Sequence, residues 1–319
     1  MRELLFEIAP ELNRDEFTRD GDTDFAYEVP DLARFRANFF MDSSGPGAVF
    51  RVIPTKILTA EQLGLPSVIL NFCHLARGLV VVTGPTGSGK STTLAAMIDY
   101  LNTTRRHHII TIEDPIEFVH PNKQCLFHQR EVRRHTCGFK NALRAALRQD
   151  PNIILVGEMR DLETIEAALA AAETGCLVFG TLHTNTAAST VDRIIDQFPG
   201  DRQSQIRTML SSSLKGVVAQ SLCKKIPKGR VAALEILVGN SAVANCIREG
   251  KTYQIPSIMQ VGGRLGMRSL NDSLFQLVKD GIVDGTEAYT KAVDKTGLLS
   301  KFSAAEIEIK LPSEELIAK

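Results

Sequence analysis

Residues 84–91 read Gly84-Pro85-Thr86-Gly87-Ser88-Gly89-Lys90-Ser91. The stretch fits G-x-x-x-x-G-K-[ST] at every fixed position. Its glycines let backbone N–H groups approach phosphate oxygens closely, and a helix starting at Lys90 aims its positive end at them. Lys90 is placed to pair with β and γ phosphates, and the Ser91 hydroxyl to ligate Mg²⁺. The setting agrees: an apolar strand, Leu79–Thr83, precedes the loop and a helix is predicted over Ser91–Tyr100. Gly84, Pro85, Thr86, Gly87, Ser88, Gly89, Lys90, Ser91 and Thr92 are thus the candidate binding residues for ATP with Mg²⁺.

Downstream, short apolar runs alternate with helical segments rich in Ala and Leu. The runs are Ile109–Ile112, Ile153–Val156 and Leu177–Leu182. Continuous apolar strands between helices predict an α/β fold with a mostly parallel sheet covered on both faces. Upstream, strand-like runs Asp24–Val29, Ala33–Phe40 and Ala48–Ile53 surround a Gly-rich turn at Ser43–Gly47, the pattern of a small α+β unit. Pro54, Gly64 and Pro66 bracket a linker. The last stretch reads as mainly helical, with Gly and Pro breaks.

Hydrolysis needs carboxylates at the ends of strands beside the loop, to hold the metal's water shell and polarise the attacking water. Ile109–Ile112 runs into Glu113-Asp114-Pro115-Ile116-Glu117, and Pro115 stops the strand just beyond the acids. Ile153–Val156 ends in Gly157-Glu158, with glycine where many such enzymes carry Asp, so Glu158 is the only acid there. Glu113 and Glu158 are the candidates for orienting waters on a metal held by Ser91. Leu177–Leu182 is followed by His183, which on its own reads as a surface histidine but at a sheet's carboxyl edge is able to sense a γ-phosphate. Arg34 and Arg36 share a strand face, with Arg51 on the next run. Alone they read as solvated charges. Such enzymes also take an arginine from a neighbouring subunit or domain to neutralise transition-state charge.

The 319 residues suffice for about two domains. Lys plus Arg and Asp plus Glu number 37 each, so the formal net charge is 0. That balance disfavours a nucleic-acid binder or a polybasic membrane binder. Residues 1–55 hold 11 acids against 6 arginines, whereas 129–148 hold six basic residues against Glu131. The first segment is the acidic complement of the second, which favours an interface with an acidic neighbour, as between docked subunits, over a nucleic-acid patch. The six cysteines contain no C-x-x-C pair and read as reduced, mostly buried thiols. No apolar run approaches the roughly 18 residues of a membrane span, and the N-terminus lacks the apolar core of a signal peptide.

Taken together, the stretches Gly84–Met97, Thr111–His120, Gln129–Val132, Val156–Thr164 and Ala172–Thr184 closely resemble the type IV pilus retraction ATPases, the PilT family of the secretion ATPase superfamily. The resemblance runs from about Asp15 to Met267. It implies a RecA-like P-loop ATPase domain, a PAS-like α+β domain before it, and a helical C-terminal region. The expected layout is a partial PAS-like domain over 1–55, a linker over 56–66, an ATPase core over 67–240 and a helical region over 241–319. It further implies a cytoplasmic homo-hexamer that hydrolyses ATP to power pilin disassembly and twitching motility. The motor would meet the inner membrane only through a platform protein, with no direct insertion. Within the resemblance, Gly84–Ser91 is the Walker A loop, Glu113 and Glu117 are Asp-box acids, Glu158 is the Walker B glutamate, and His183 belongs to the His box. Arg36 and Arg51 match the N-terminal-domain arginines that approach the nucleotide in the assembled ring. The chain departs from the pattern in entering partway through the N-terminal domain, in Ala244 where the C-terminal signature has an arginine, and beyond about Thr296. Other readings are an assembly or type II/IV secretion ATPase, whose usual paired-cysteine insert is missing here, a nucleic-acid translocase, or a non-hydrolysing ring subunit.

Overall fold

The computed structural model describes residues 1–30 and 32–309; part of the region predicted to be helical, residues 310–319, lies outside them. The chain opens with helices α1 (Arg2–Ile8) and α2 (Glu11–Asp20), then strands β1 (Asp22–Val29), β2 (Ala33–Asp42) and β3 (Gly45–Ile53). The strands form an antiparallel sheet in the order β1-β2-β3. The predicted turn at Ser43–Gly47 is shorter than expected, because β3 resumes at Gly45. Alternation along β2 sends Ala37 and Phe39 to one face, where Phe17 and Phe25 meet Phe39 edge-on at 6.0 and 5.0 Å. The other face carries Arg34, Arg36 and Arg51. Residues 54–66 contain neither helix nor strand.

The larger unit begins with α3 (Ser67–Phe72). Its sheet contains β4 (Gly78–Thr83), β5 (His108–Glu113), β6 (Leu126–Glu131), β7 (Ile153–Val156), β8 (Leu177–Leu182), β9 (Leu214–Lys224) and β10 (Arg230–Val238). Their order is β10-β9-β4-β8-β7-β5-β6, parallel except for β10. Helices α4 (Lys90–Thr104), α5 (Phe139–Ala146), α6 (Leu162–Thr174), α7 (Ala187–Asp196) and α8 (Gly200–Ser213) cover it. Because successive strand residues face opposite ways, Leu79 and Val81 join one core with Ile165, Val191 and Ile206. Val80 and Val82 join the other, with Ile69, Leu94 and Met97. The α/β architecture with a mostly parallel sheet and a small antiparallel sheet before it is therefore as the sequence predicts.

Helices α9 (Ser241–Arg248), α10 (Ile255–Val261), α11 (Leu270–Lys279), α12 (Gly285–Lys291) and α13 (Lys295–Ala304) follow. Buried Glu235 on β10 ties this region to the core: its carboxylate accepts from Ala187 N at 2.6 Å and Leu270 N at 3.4 Å, at the starts of α7 and α11. Among the described residues, no helix is long and apolar enough to cross a membrane. All six cysteines are free, and Cys137 alone is exposed.

Candidate nucleotide site

Strand β4 is buried throughout and delivers the chain into the loop at Gly84. Gly84 has φ 143°, and a Cβ there would stand 2.3 Å from the Gln220 carbonyl oxygen. Only glycine permits that approach. Gly87 and Gly89 also have positive φ, at 78° and 88°. The buried side chain of Gln220, from β9, then clamps the loop to its helix. Its Nε2 donates to the Ser88 carbonyl at 2.5 Å, and its Oε1 accepts from Thr93 Oγ1 at 2.9 Å. Lys90 Nζ donates to the Gly84 and Pro85 carbonyls at 2.8 and 3.1 Å. Burial pulls the lysine below its usual range, against the opposing charges of Glu158 and Glu117.

At the carboxyl edge of the sheet, two of the other predicted groups, His183 and Glu158, stand beside that lysine. Thr83, at the end of β4, is bonded to Thr184 just past β8, which holds the two strand ends together. His183 places Nδ1 3.5 Å from Lys90 Nζ and Nε2 3.0 Å from Glu158 Oε1. Arg160 Nε reaches the same Glu158 oxygen at 2.5 Å. Glu158 is set by its neighbours: Gly157 N donates to Ile112 O, Met159 N to Thr181 O, and the Thr181 hydroxyl to Gly157 O. A side chain at Gly157 would crowd the Ile112 carbonyl at 3.0 Å and Glu113 Cα at 3.2 Å. An Asp in its place would need that backbone to give way by a few tenths of an ångström. Burial works to raise the Glu158 carboxyl, but Arg160 and His183 outweigh it and hold the group below its usual range.

Glu113 closes β5. Its Oε1 accepts from Thr111 Oγ1 at 2.6 Å and Gln129 Nε2 at 3.0 Å. Burial nevertheless pushes its carboxyl up to about 7, with the nearby Glu117 charge adding to the rise. Gln129 also donates to Phe118 O and accepts from His120 N, so one amide fixes both the acid and the loop after it. Ser91 is exposed on the first turn of α4, beside Lys90.

The arginines divide differently from expectation. Arg36 and Arg51 lie directly opposite each other on β2 and β3. Arg36 faces Asp24 at 3.6 Å, Arg51 is exposed, and neither bonds the phosphate loop within this chain. Arg34 is the one that reaches the core, its Nη2 donating to Ile116 O at 3.0 Å in the acidic loop. Ile116 N in turn donates to buried Glu131 at 3.1 Å. A second bridge, Arg133 to Glu16 at 3.1 Å, joins the basic segment to the acidic head within the one chain.

Sequence reasoning missed Arg160, Gln129 and Gln220 as site residues. Arg160 stands two positions from Glu158 and was available as a local charge partner, whereas the two glutamines come from strands that the sequence did not reveal. Comparison with known proteins bears on the same arrangement. The family model described as type II/IV secretion system protein matches residues 21–289. The type IV pilus retraction ATPase PilT of Pseudomonas aeruginosa is 57% identical over 91% of this chain and 84% of its own. The chain belongs to the PilT family of the type II/IV secretion proteins. Another family member, the twitching motility protein of Neisseria gonorrhoeae, is 54% identical over 86% of this chain and 74% of its own. A crystal structure of the pilus retraction motor PilT with bound ADP superposes with a TM-score of 0.87. It is 48% identical and covers 94% of this chain and 85% of that one.

Proposed function

We propose that this chain is the ATP-hydrolysing subunit of a hexameric motor that powers pilus retraction. It would work at the cytoplasmic face of the inner membrane, through a platform protein. The observation that carries the reading is the contact series Lys90–His183–Glu158 at the mouth of a complete phosphate loop, in a chain of the PilT family.

The loop fits a magnesium nucleotide. Gly84 and Gly89 bring bare backbone to the phosphates, the space beside Gly87 is open, and the Ser91 hydroxyl is exposed where a metal ligand belongs. Bound Mg²⁺ supplies charge neutralisation between the β and γ phosphates. The chain's own groups do the rest. Lys90 leaves the Gly84 and Pro85 carbonyls for the phosphate oxygens. Glu158, ionised at neutral pH, orients and polarises the attacking water. Glu113, titrating near neutrality, is suited to take up and return a proton, and Glu117 adds negative field beside it. His183 bridges the phosphate-facing lysine and the water-facing glutamate, so it is placed to report the γ-phosphate. Arg36, half-buried beside Asp24, and exposed Arg51 lie opposite each other on one face of the small sheet, from which they would contribute to the nucleotide of a neighbouring subunit.

ATP turnover by Lys90→Ala and Glu158→Gln proteins tests the assignment. Both should fall by about 100-fold or more, with nucleotide binding kept in Glu158→Gln and weakened in Lys90→Ala. Unchanged turnover in both variants would defeat it. For the cellular role, this chain should restore normal surface piliation to a retraction-deficient strain, and the Glu158→Gln form should not.

A further inference from the structure

At the far edge of the large sheet, two histidines meet outside the nucleotide site. His108 opens β5 and His128 is the third residue of β6. The strands are parallel with Ile110 opposite His128, so His108 and His128 are diagonal neighbours on one face. Their rings stand 5.0 Å apart at 84°. His108 Nδ1 is 3.3 Å from the Asp150 carbonyl oxygen. A carbonyl only accepts, so in the neutral ring this nitrogen carries the hydrogen and Nε2 is bare. That bare Nε2 lies 2.9 Å from His128 Nδ1, which therefore holds the single shared hydrogen. An imidazole pinned through one nitrogen by a backbone carbonyl, with the other presented outward, is the usual posture of a metal-binding histidine.

The surroundings are open. The pair borders a cavity of about 580 Å³ lined also by Phe127, Gln129, Arg130 and Gln149. The Arg130 guanidinium is turned away, donating to the Ala142 and His135 carbonyls at 3.4 and 3.3 Å, and the Gln129 amide is occupied at Glu113. We propose that His108 Nε2 and His128 Nδ1 bind a borderline-soft divalent cation, zinc in the first place, which displaces the hydrogen between them. Water in the cavity completes the coordination. At zinc's roughly 2.0–2.1 Å bonds and tetrahedral angle, two nitrogens stand about 3.3 Å apart. The half-buried His108 ring and the exposed His128 ring need to separate slightly and turn so that both nitrogens face the metal. The displaced hydrogen passes to His128 Nε2 by exchange with water, so both rings ligate as neutral imidazoles, with no net proton release and no change of oxidation state. Magnesium prefers oxygen ligands and holds its waters, so the nucleotide's metal does not compete. Five residue steps along β5 separate His108 from Glu113, about 16 Å, which makes the site distinct from the loop. Its effect is to staple the edge strand β6 to β5.

The experiment is calorimetric titration of nucleotide-free protein with zinc chloride, in a Cys137→Ser background so that the exposed thiol cannot bind. One zinc per chain should bind saturably at micromolar concentrations and raise the melting temperature. The affinity should fall at least tenfold in both His108→Ala and His128→Ala, whose unliganded melting curves establish that they fold, and magnesium chloride should give no heat. Absence of saturable zinc binding, or equal affinity in either alanine variant, would overturn the proposal.

Discussion

Glu113 and Glu158 end neighbouring strands of one sheet, yet their surroundings push them apart: burial raises the first to about 7, and Arg160 with His183 lowers the second. Two carboxyls driven in opposite directions are a means of dividing acid and base work at one pH. The raised group has a consequence for folding. Its folded pKa exceeds the unfolded value of 4.5, so the native state binds the proton more tightly. The stability this confers is present below about 4.5 and is lost as pH rises through about 7. Relative to Glu113→Gln, which cannot titrate, the wild-type protein should therefore lose melting temperature between pH 5 and pH 8. A difference between the two melting curves that stays constant over that range would contradict the burial assigned to Glu113. Both acids were legible in the sequence, since each follows a β-branched run at a strand's carboxyl end. The direction of their shifts was not, because it depends on groups brought in from other strands.

At the scale of elements, the helices and four central strands of the sheet were readable from apolar runs, while β6, β9 and β10 were not. Strand β6, Leu126–Glu131, is an edge strand with only two apolar residues, so it lacks the signal of a doubly covered strand. Strand β9 follows α8 without a Gly or Pro break, and a continuous apolar run does not by itself distinguish strand from helix. These missed strands supply Gln129 and Gln220, which explains why the polar supports of the site escaped detection while its motif residues did not. The clamp from β9 yields a prediction. Gln220→Leu leaves the buried Thr93 hydroxyl without its acceptor and the Ser88 carbonyl without its donor, at about 1–3 kcal/mol for each unsatisfied group. Nucleotide affinity should drop with the loss of loop order, and Gln220→Glu should restore the Thr93 bond but not the one to Ser88 O. Fluorescent-nucleotide titration that finds wild-type affinity in Gln220→Leu would show that the loop holds its shape without β9.

For the whole molecule, the net charge of 0 is the sum of an acidic head and a compensating remainder, and the fold joins them through Arg133 and Glu16. The opposed pair Arg36 and Arg51 adds an unusual feature, because like charges directly across strands repel. Mixing Arg51→Ala subunits into wild-type rings should lower ATP turnover more steeply than the mutant fraction, as action on a neighbour's nucleotide requires; strictly proportional decline would confine the arginine to its own subunit. Arg34, finally, does more than dock the small sheet. Its bond holds the Ile116 carbonyl in the loop between Glu113 and Glu117, while Glu131 holds the N–H of the same residue. A loop gripped from the small sheet and from the large one is a shared variable: any free energy by which nucleotide shifted it would be the same free energy by which sheet docking altered nucleotide affinity. In the proposed motor, the work done and the fuel bound would then be two readings of one equilibrium.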